Sequence, residues 1–568
     1  MSTEVDAGTR RAESVVSGPP LDSEPGLGSL TLPGFLREVT DLYADREALV
    51  ARTDDGVTRW TYVQLWERSV EVARALRGAG LGKDGRVGVL MTNRPEWLSV
   101  VFGTALAGGV AVTLSTFSTS AELEHLLGVS GVSFLVVERT AAGKPLAGLL
   151  PDLEPAVATS EPGAIRSTVF PHLRHVAVVD EPETRGALES WESFLLRGKD
   201  VAPEVVESSA AAVAPSDTAV LFFSSGTTSK PKGILSAHRG VAIQMWRFRR
   251  MYRFEPEDLI RCWTANGFFW SGNFAMALGS TLACGGSLVL QSTFEPEEAL
   301  TLIELERVNF PFAWPHQWSQ LESAPNWETA DLSSLSFVDH KTPVARHRTV
   351  TGTWSEPGHA YGNTETFTIT TCFPANTPDD VAAGSSGEPL PGNTVKIVDA
   401  LTGEVVPVGE RGEICVKGPT LMLGYLGTPL METVDQSGYF HTGDGGYVDG
   451  VGRLFWEGRL TDIIKTGGAN VSPLEVDEAL VAHPGVKVTR TVGIPHDTLG
   501  EMVVACIVPH DGVDLDSDAI RAYLKERLAS YKVPRQVLFF LDEEIALTGS
   551  AKIKTADVRA LAIERLAV

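Results

Sequence analysis

Apolar and polar positions along the chain follow two rhythms. "WTYVQLWERSVEVARALRGAGL", Trp60 to Leu81, carries apolar residues at helical spacing and runs out into glycines, which predicts a capped amphipathic helix. "RVGVLMTN" is a short unbroken apolar run, the signature of a buried strand; "EWLSVVFGTALAGG" predicts a second helix and "VAVTLS" a second strand. Strand, helix and strand in such quick succession make a βαβ unit and call for a parallel sheet. "VSFLVVE" and "HVAVVD" continue the rhythm, and "AVLFF" is a further buried strand. Over residues 391–418 the pattern changes. Short strands separated by glycines predict antiparallel hairpins there, and a small barrel.

The flanks read differently. Residues 1–28 are rich in Ser, Gly, Pro and Glu, which predicts a disordered tail. Residues 181–217, rich in Glu, Ala, Ser and Pro, read as an exposed connection. After "WEGRLTDIIKTGG" a helix, strand, strand pattern fills the rest of the chain. The expected fold is α/β. A large N-terminal domain over 29–457 has mixed, largely parallel sheets flanked by helices, plus a small β-barrel. A small mobile α+β domain covers 458–568, with its hinge near Thr461.

Composition narrows the partners. The chain has 568 residues, 43% hydrophobic and 21% charged, which suits a globular protein of more than one domain. Its net charge of -24 repels a phosphate backbone, so nucleic acid is excluded, and an anionic ligand needs a local positive site. Cys262, Cys284, Cys372, Cys415 and Cys506 form no CxxC or zinc spacing and read as buried thiols of a reducing, cytoplasmic compartment. The polar N-terminus lacks the apolar core of a signal peptide, and no apolar run is long enough to predict a membrane span.

"LFFSSGTTSKPKGIL", Leu221 to Leu235, supplies the positive site. A buried strand stops, and small residues, hydroxyls and two lysines follow. Backbone N–H groups in such a loop can turn toward phosphate oxygens, while hydroxyls and ammonium groups add donors and charge. After Gly226 the order is Thr-Thr-Ser-Lys-Pro-Lys, so this is no Walker NTPase loop.

Further motifs follow in order: "AYGNTET" at 360–366, "HTGD" at 441–444 and "GRLTDIIKTGGANVSPLEVDEAL" at 458–480. With the loop, and with "NRPEWLSVVFGTALAGGVAVTLS" and "ERGEICVKGPTLMLGY", the chain resembles the adenylate-forming superfamily. That superfamily holds acyl-CoA synthetases, luciferases and peptide-synthetase adenylation domains. The resemblance implies that a carboxylate attacks the α-phosphorus of ATP, releasing pyrophosphate, and that a thiol then displaces AMP. ATP, Mg²⁺ and coenzyme A are the implied cofactors, and a small-molecule carboxylic acid is the substrate.

Residue roles carry over by motif. Ser224, Ser225, Gly226, Thr227, Thr228 and Lys232 match the phosphate loop. Tyr361 matches the aromatic residue against adenine, within the motif that continues through Gly362 and Asn363; Thr364 would reach the α-phosphate and Glu365 would hold Mg²⁺. Asp444 would bind the ribose hydroxyls, helped by Arg459. Lys552 matches the adenylation lysine. Lys465 serves the thioester step in the family, with Gly467 and Gly468 along the coenzyme A path. The small domain would rotate to present each face in turn.

The acid pocket is expected around "NGFFWSGNF" and "FPFAWPHQW", with Phe269, Trp270 and Asn273 in it. Aromatic walls suit a bulky hydrophobic or aromatic acid, although core packing is the commoner fate of such residues. His340 and Lys341 stand where the family has glycines and would reshape this pocket; Ser229 and Ala551 also replace glycines. Because these departures fall on the adenylation half, the chain reads either as a full acyl-CoA synthetase or as an enzyme taking an acyl-adenylate made by a separate adenylating enzyme. Transfer to an amine or a carrier-protein thiol, or a non-catalytic binding role, are the other readings.

Overall fold

In the first βαβ unit, local chemistry and packing agree. The Thr61 hydroxyl accepts from the Gln64 N–H at 3.3 Å, and the Gln64 side chain accepts from the Thr61 N–H at 2.9 Å. This reciprocal pair opens the helix Tyr62–Gly78. Its Leu65, Val72, Ala73 and Leu76 are buried, and it packs on the apolar helix Pro95–Leu106. The computed structural model describes residues 12–53, 56–224, 231–460, 462, 464–466, 469–496, 499–528, 532–545 and 555–566.

Two compact units emerge. The larger comprises residues 17–394 and 417–439, the other residues 1–16, 395–416 and 440–568. The larger unit is built on a nine-stranded sheet. Its six parallel strands run Thr218–Ser224, Val110–Thr113, Arg86–Leu90, Phe134–Glu138, His175–Val179 and Leu188–Ser190 in spatial order. On the other side of Thr218–Ser224, Lys232–Ala237 and then Gly424–Tyr425 pair antiparallel. A second sheet places Phe310–Pro311, Arg261–Thr264, Ser287–Leu290 and Glu47–Thr53 in parallel, with Gly56–Thr61 antiparallel at its edge. The central strands are buried on both faces, which is why they read as unbroken apolar runs.

In the other unit, Gly412–Lys417, Phe440–Val448 and Leu454–Arg459 form an antiparallel ladder within a five-stranded sheet. The hairpins expected over 391–418 are part of it. The sheet Ala469–Val471, Ile464–Thr466, Gly500–Pro509 and Val486–His496 follows, with the helices Pro473–Val481, Ser517–Lys525 and Thr555–Leu566. By contacts, residues 395–416 and 440–457 group with the C-terminal residues, so this division differs from the boundary read at 457. Thr461, the expected hinge, lies outside the described residues. Among the described residues no helix is long and apolar enough to cross a membrane.

Two expectations are corrected. Residues 12–28 are not a tail: Val15–Ser17 is a strand, and Glu24 is buried. The fully buried Arg247 donates to both Glu24 oxygens, at 2.9 and 2.7 Å, and to the Pro391 carbonyl at 2.8 Å. A buried guanidinium needs such partners, and composition does not reveal a pairing over so long a sequence distance. Residues 181–217 hold the edge strand Leu188–Ser190 and the helices Trp191–Leu196 and Pro203–Ala211. Phe194 and Val206 anchor these helices in the core, each 1% exposed.

Removing one partner of the buried pair strands the other charge. Glu24→Ala is expected to destabilise the protein by about 3–5 kcal/mol. Asp22 is a nearby exposed acid, and Asp22→Ala is expected to change little. Chemical denaturation of the two variants side by side measures the difference; equal stability would restore the tail reading.

Candidate active site

The strand Thr218–Ser224 carries Val220, Leu221 and Phe222 fully into the core. Its chain returns as Lys232–Ala237, with Lys232 opposite Ser224. These two expected phosphate ligands therefore face one another at the mouth of the loop. Ser225, Gly226, Thr227 and Thr228 lie outside the described residues. The loop leaves from the carboxyl end of a central parallel strand, where ligands of α/β sheets bind.

The 360–366 motif folds into a tight turn beside this hairpin. Asn363 and Thr366 cap each other: the Asn363 side chain accepts from the Thr366 N–H at 3.0 Å, and the Thr366 hydroxyl accepts from the Asn363 N–H at 3.1 Å. Thr364 and Glu365 sit on the single helical turn between them. A Cβ on Gly362 would lie 1.7 Å from the Thr368 carbonyl oxygen, so only glycine fits. Phe367 and Thr368 adopt left-handed φ values of 49° and 87°. Such strain persists where surroundings over-determine it. Here Phe367 is fully buried against Phe222 of the strand Thr218–Ser224, ring centroids 5.5 Å apart. The Tyr361 side chain is buried, and its carbonyl accepts from the Thr370 N–H at 2.7 Å.

Tyr425 joins the two motifs. Its hydroxyl donates to Glu365 Oε1 at 2.9 Å, and the Lys232 ammonium lies 5.2 Å from its ring centroid. The Met422 N–H donates to the Glu365 carbonyl at 2.7 Å. Strand register makes this possible, since Tyr425 pairs with Ile234, two residues beyond Lys232. Tyr425 lies in the stretch that carried the resemblance, yet no local pattern marked it; only the cross-strand pairing does.

In the other unit, Asp444 and Arg459 are opposed on neighbouring strands. Arg459 Nε lies 3.1 Å from Asp444 Oδ1, and Arg459 Nη1 donates to the Thr442 carbonyl at 2.7 Å. A register shift opposite Glu413–Cys415 and a φ of 71° at Gly443 bulge the 442–444 segment out of the ladder. Lys465 is exposed on Ile464–Thr466, with its N–H held by Glu501 at 2.9 Å. Gly467, Gly468 and Lys552 lie outside the described residues.

The expected acid-pocket residues separate into two places. Phe269 and Trp270 gather with Phe117 after the strand Val110–Thr113, at centroid distances of 6.0 and 6.1 Å from it. Asn273 is fully buried and hydrogen-bonded to Thr264 and the Asn266 carbonyl, so it braces the turn beside them. A separate cavity of about 30 Å³ sits past the strand Phe310–Pro311, walled by Tyr252, Phe310, Phe312, Trp318 and Trp354. Asp339 and Glu356 add polar groups to it. Burial, reinforced by the Asp339 carboxylate and opposed by Lys341, raises the Glu356 carboxyl above its ordinary value. Buried Tyr252 Oη and Trp354 Nε1 have no hydrogen-bond partner among the described residues. His340 and Lys341 do not line this cavity: their side chains are 49% and 62% exposed, and Lys341 lies 3.7 Å from Asp379. Their flanking residues Asp339 and Thr342 line it instead.

None of the five cysteines is in a disulfide and all are buried; burial pushes the Cys262, Cys284, Cys372 and Cys506 thiols up to about 12.

Comparison with known proteins agrees with this geometry. A feruloyl-CoA synthase of Amycolatopsis sp is 32% identical over 514 residues, covering 89% of this chain and 94% of its own. The solved structure of the anthranilate CoA ligase AuaEII with anthranoyl-AMP superposes with a TM-score of 0.74 at 24% identity, over 96% of this chain and 100% of its own. The amide bond synthetase McbA from Marinactinospora thermotolerans gives 0.72 at 26% identity, over 94% and 99%. Residues 475–552 match the model of the AMP-binding enzyme C-terminal domain. Residues 36–426 match the AMP-binding enzyme model, and the chain belongs to that family of adenylate-forming enzymes.

Proposed function

We propose that the protein is an AMP-forming acid–thiol ligase that activates a bulky hydrophobic or aromatic carboxylic acid on ATP and transfers the acyl group to coenzyme A. The observation that carries this reading is the tie of Lys232 to Glu365 through Tyr425, at the carboxyl end of the central strand. It gathers a cation and a hard carboxylate around one tyrosine, the group types that phosphates and Mg²⁺ require. Two aromatic clusters support the acid class, and both feruloyl-CoA synthase and the anthranilate ligase are named for aromatic acids. The cavity beside Tyr252 has room for only a small polar group, such as a ring substituent or a water molecule.

In this reading the acid's carboxylate oxygen forms a bond to the α-phosphorus, and the bond to pyrophosphate breaks. Ser224, Lys232 and residues 225–228 hold the phosphates through N–H groups, hydroxyls and charge. Glu365 would hold Mg²⁺, which would neutralise phosphate charge, and Thr364 would reach the α-phosphate. Lys552 steadies the attacking carboxylate. Tyr361 stacks on adenine, and Asp444, oriented by Arg459, takes the ribose. The coenzyme A thiol then gives up its proton and displaces AMP, with Lys465, Gly467 and Gly468 on the thiol's side after rotation of the small domain about Thr461. Placement in the cytoplasm fits the five reduced thiols. The exposed side chains of His340 and Lys341 lend no support to an enzyme restricted to preformed adenylates.

A panel of hydroxycinnamic, benzoic and medium-chain acids, read by mass spectrometry of the acyl-CoA, tests the substrate class. An aromatic acid is expected to give the highest kcat/KM, and truncating Phe269 or Trp270 to change the rank order. Preference for a medium-chain acid, unaltered in both variants, would contradict the reading.

Tyr425→Phe removes one hydrogen bond to a carboxylate. Such bonds are worth about 1.5–3 kcal/mol, so kcat/KM is expected to fall roughly 10- to 100-fold, partly restored by raised Mg²⁺. Parent-like kinetics across a Mg²⁺ titration would separate Tyr425 from the metal site.

A further inference from the structure

Behind the segment that presents Asp444, three potential metal ligands of different chemistry meet on one face of a sheet. Glu413 and Cys415 are two residues apart on Gly412–Lys417, so their side chains share a face. His441 on Phe440–Val448 is the direct cross-strand partner of Cys415. The ladder's register shift brings Glu413 to the same point. The three ligand atoms lie within 4.8 Å of one another. Cys415 Sγ and His441 Nδ1 are 3.5 Å apart, and His441 Nδ1 lies 2.7 Å from Glu413 Oε2.

We propose that Glu413, Cys415 and His441 form a binding site for a divalent cation of the zinc class. Zinc bonds of about 2.3 Å to sulfur and 2.0–2.1 Å to imidazole nitrogen place these atoms about 3.5 Å apart in a tetrahedron. The sulfur–nitrogen separation already has that value, while the nitrogen–oxygen pair, now a hydrogen bond, must open by about 0.8 Å. The donor set of one thiolate, one imidazole and one carboxylate selects against Mg²⁺, which demands oxygen ligands, so the site does not compete for the ion assigned to Glu365. His441 is 38% exposed and gives an ion access, leaving the fourth position to water. On binding, the Cys415 thiol proton passes to solvent, and a neutral His441 ligates through Nδ1 with its proton on Nε2.

The site has a built-in connection to its neighbours. Glu413 Oε1 accepts from the Gly443 N–H at 3.0 Å, and Thr442 donates to the Ile414 carbonyl at 2.6 Å. Drawing Glu413 and His441 onto a metal pulls on both ends of the 442–444 bulge. If Asp444 holds ribose, as the proposed function has it, a bound ion alters the grip on nucleoside.

Cobalt(II) is the probe, because a cysteine thiolate bound to it absorbs in the near ultraviolet. Titrated into the full chain, it is expected to give a thiolate charge-transfer band saturating at one ion per chain. Cys415→Ser is expected to abolish the band, and His441→Gln to weaken binding by at least the ~10-fold that even an outer-shell change costs. Zinc should displace the cobalt; excess Mg²⁺ should not. No band at saturating cobalt, or a band that survives in Cys415→Ser, would overturn the site. Adenosine affinity, measured with and without cobalt, tests the connection separately: a shift seen in the parent and lost in Cys415→Ser supports it, and an unchanged affinity alongside an intact band overturns the connection while leaving the site.

Discussion

The Tyr425 hydroxyl reaches Glu365 while its ring lies near the Lys232 ammonium, and the arrangement of this end of the candidate site depends on that reach. Its origin is a matter of strand register. Lys232–Ala237 is paired on one side with the buried strand Thr218–Ser224 and on the other with Gly424–Tyr425. Slipping either pairing by one residue would turn every side chain to the opposite face and separate lysine, tyrosine and carboxylate. A cation near an aromatic ring is worth about 0.5–1 kcal/mol at a solvent-facing site, and a hydrogen bond to a carboxylate about 1.5–3. These terms are small beside the sheet, so they orient rather than hold.

The 360–366 turn is fixed from below. Gly362 admits the Thr368 carbonyl where no side chain could fit, and Phe367 buries its ring against Phe222. Burying an aromatic side chain contributes about 1.5–3 kcal/mol, which offsets part of the cost of left-handed backbone at two non-glycine residues, of order 1–3 each. The carboxylate of Glu365 is thereby held by packing that reaches the core, which is what a site needs if charge is to be met by groups already in position.

Much of this was legible in the chain. The strand Arg86–Leu90, the helix Tyr62–Gly78 and the run into Ser224 announce themselves because burial on both faces, capping and loop chemistry are local. The order of motifs gave the reaction class. Long-range pairing was not legible: Glu24 finds Arg247, and Tyr425 finds Glu365, through the fold alone. The direction of a side chain was equally hidden. His340 and Lys341 sit at a pocket edge in sequence, yet solvation of polar side chains takes them outward while Asp339 and Thr342 face the cavity. Cys415 and His441 have no metal spacing along the chain, because a sheet joins them crosswise.

The central claim is that this chain activates a carboxylic acid as its adenylate. Acid-dependent exchange of labelled pyrophosphate into ATP measures that step alone, without coenzyme A and without regard to the final acceptor. Exchange driven by an aromatic acid that the enzyme also converts to a thioester is the predicted result. No exchange with any acid, while synthetic acyl-adenylate is consumed briskly with coenzyme A, would contradict it.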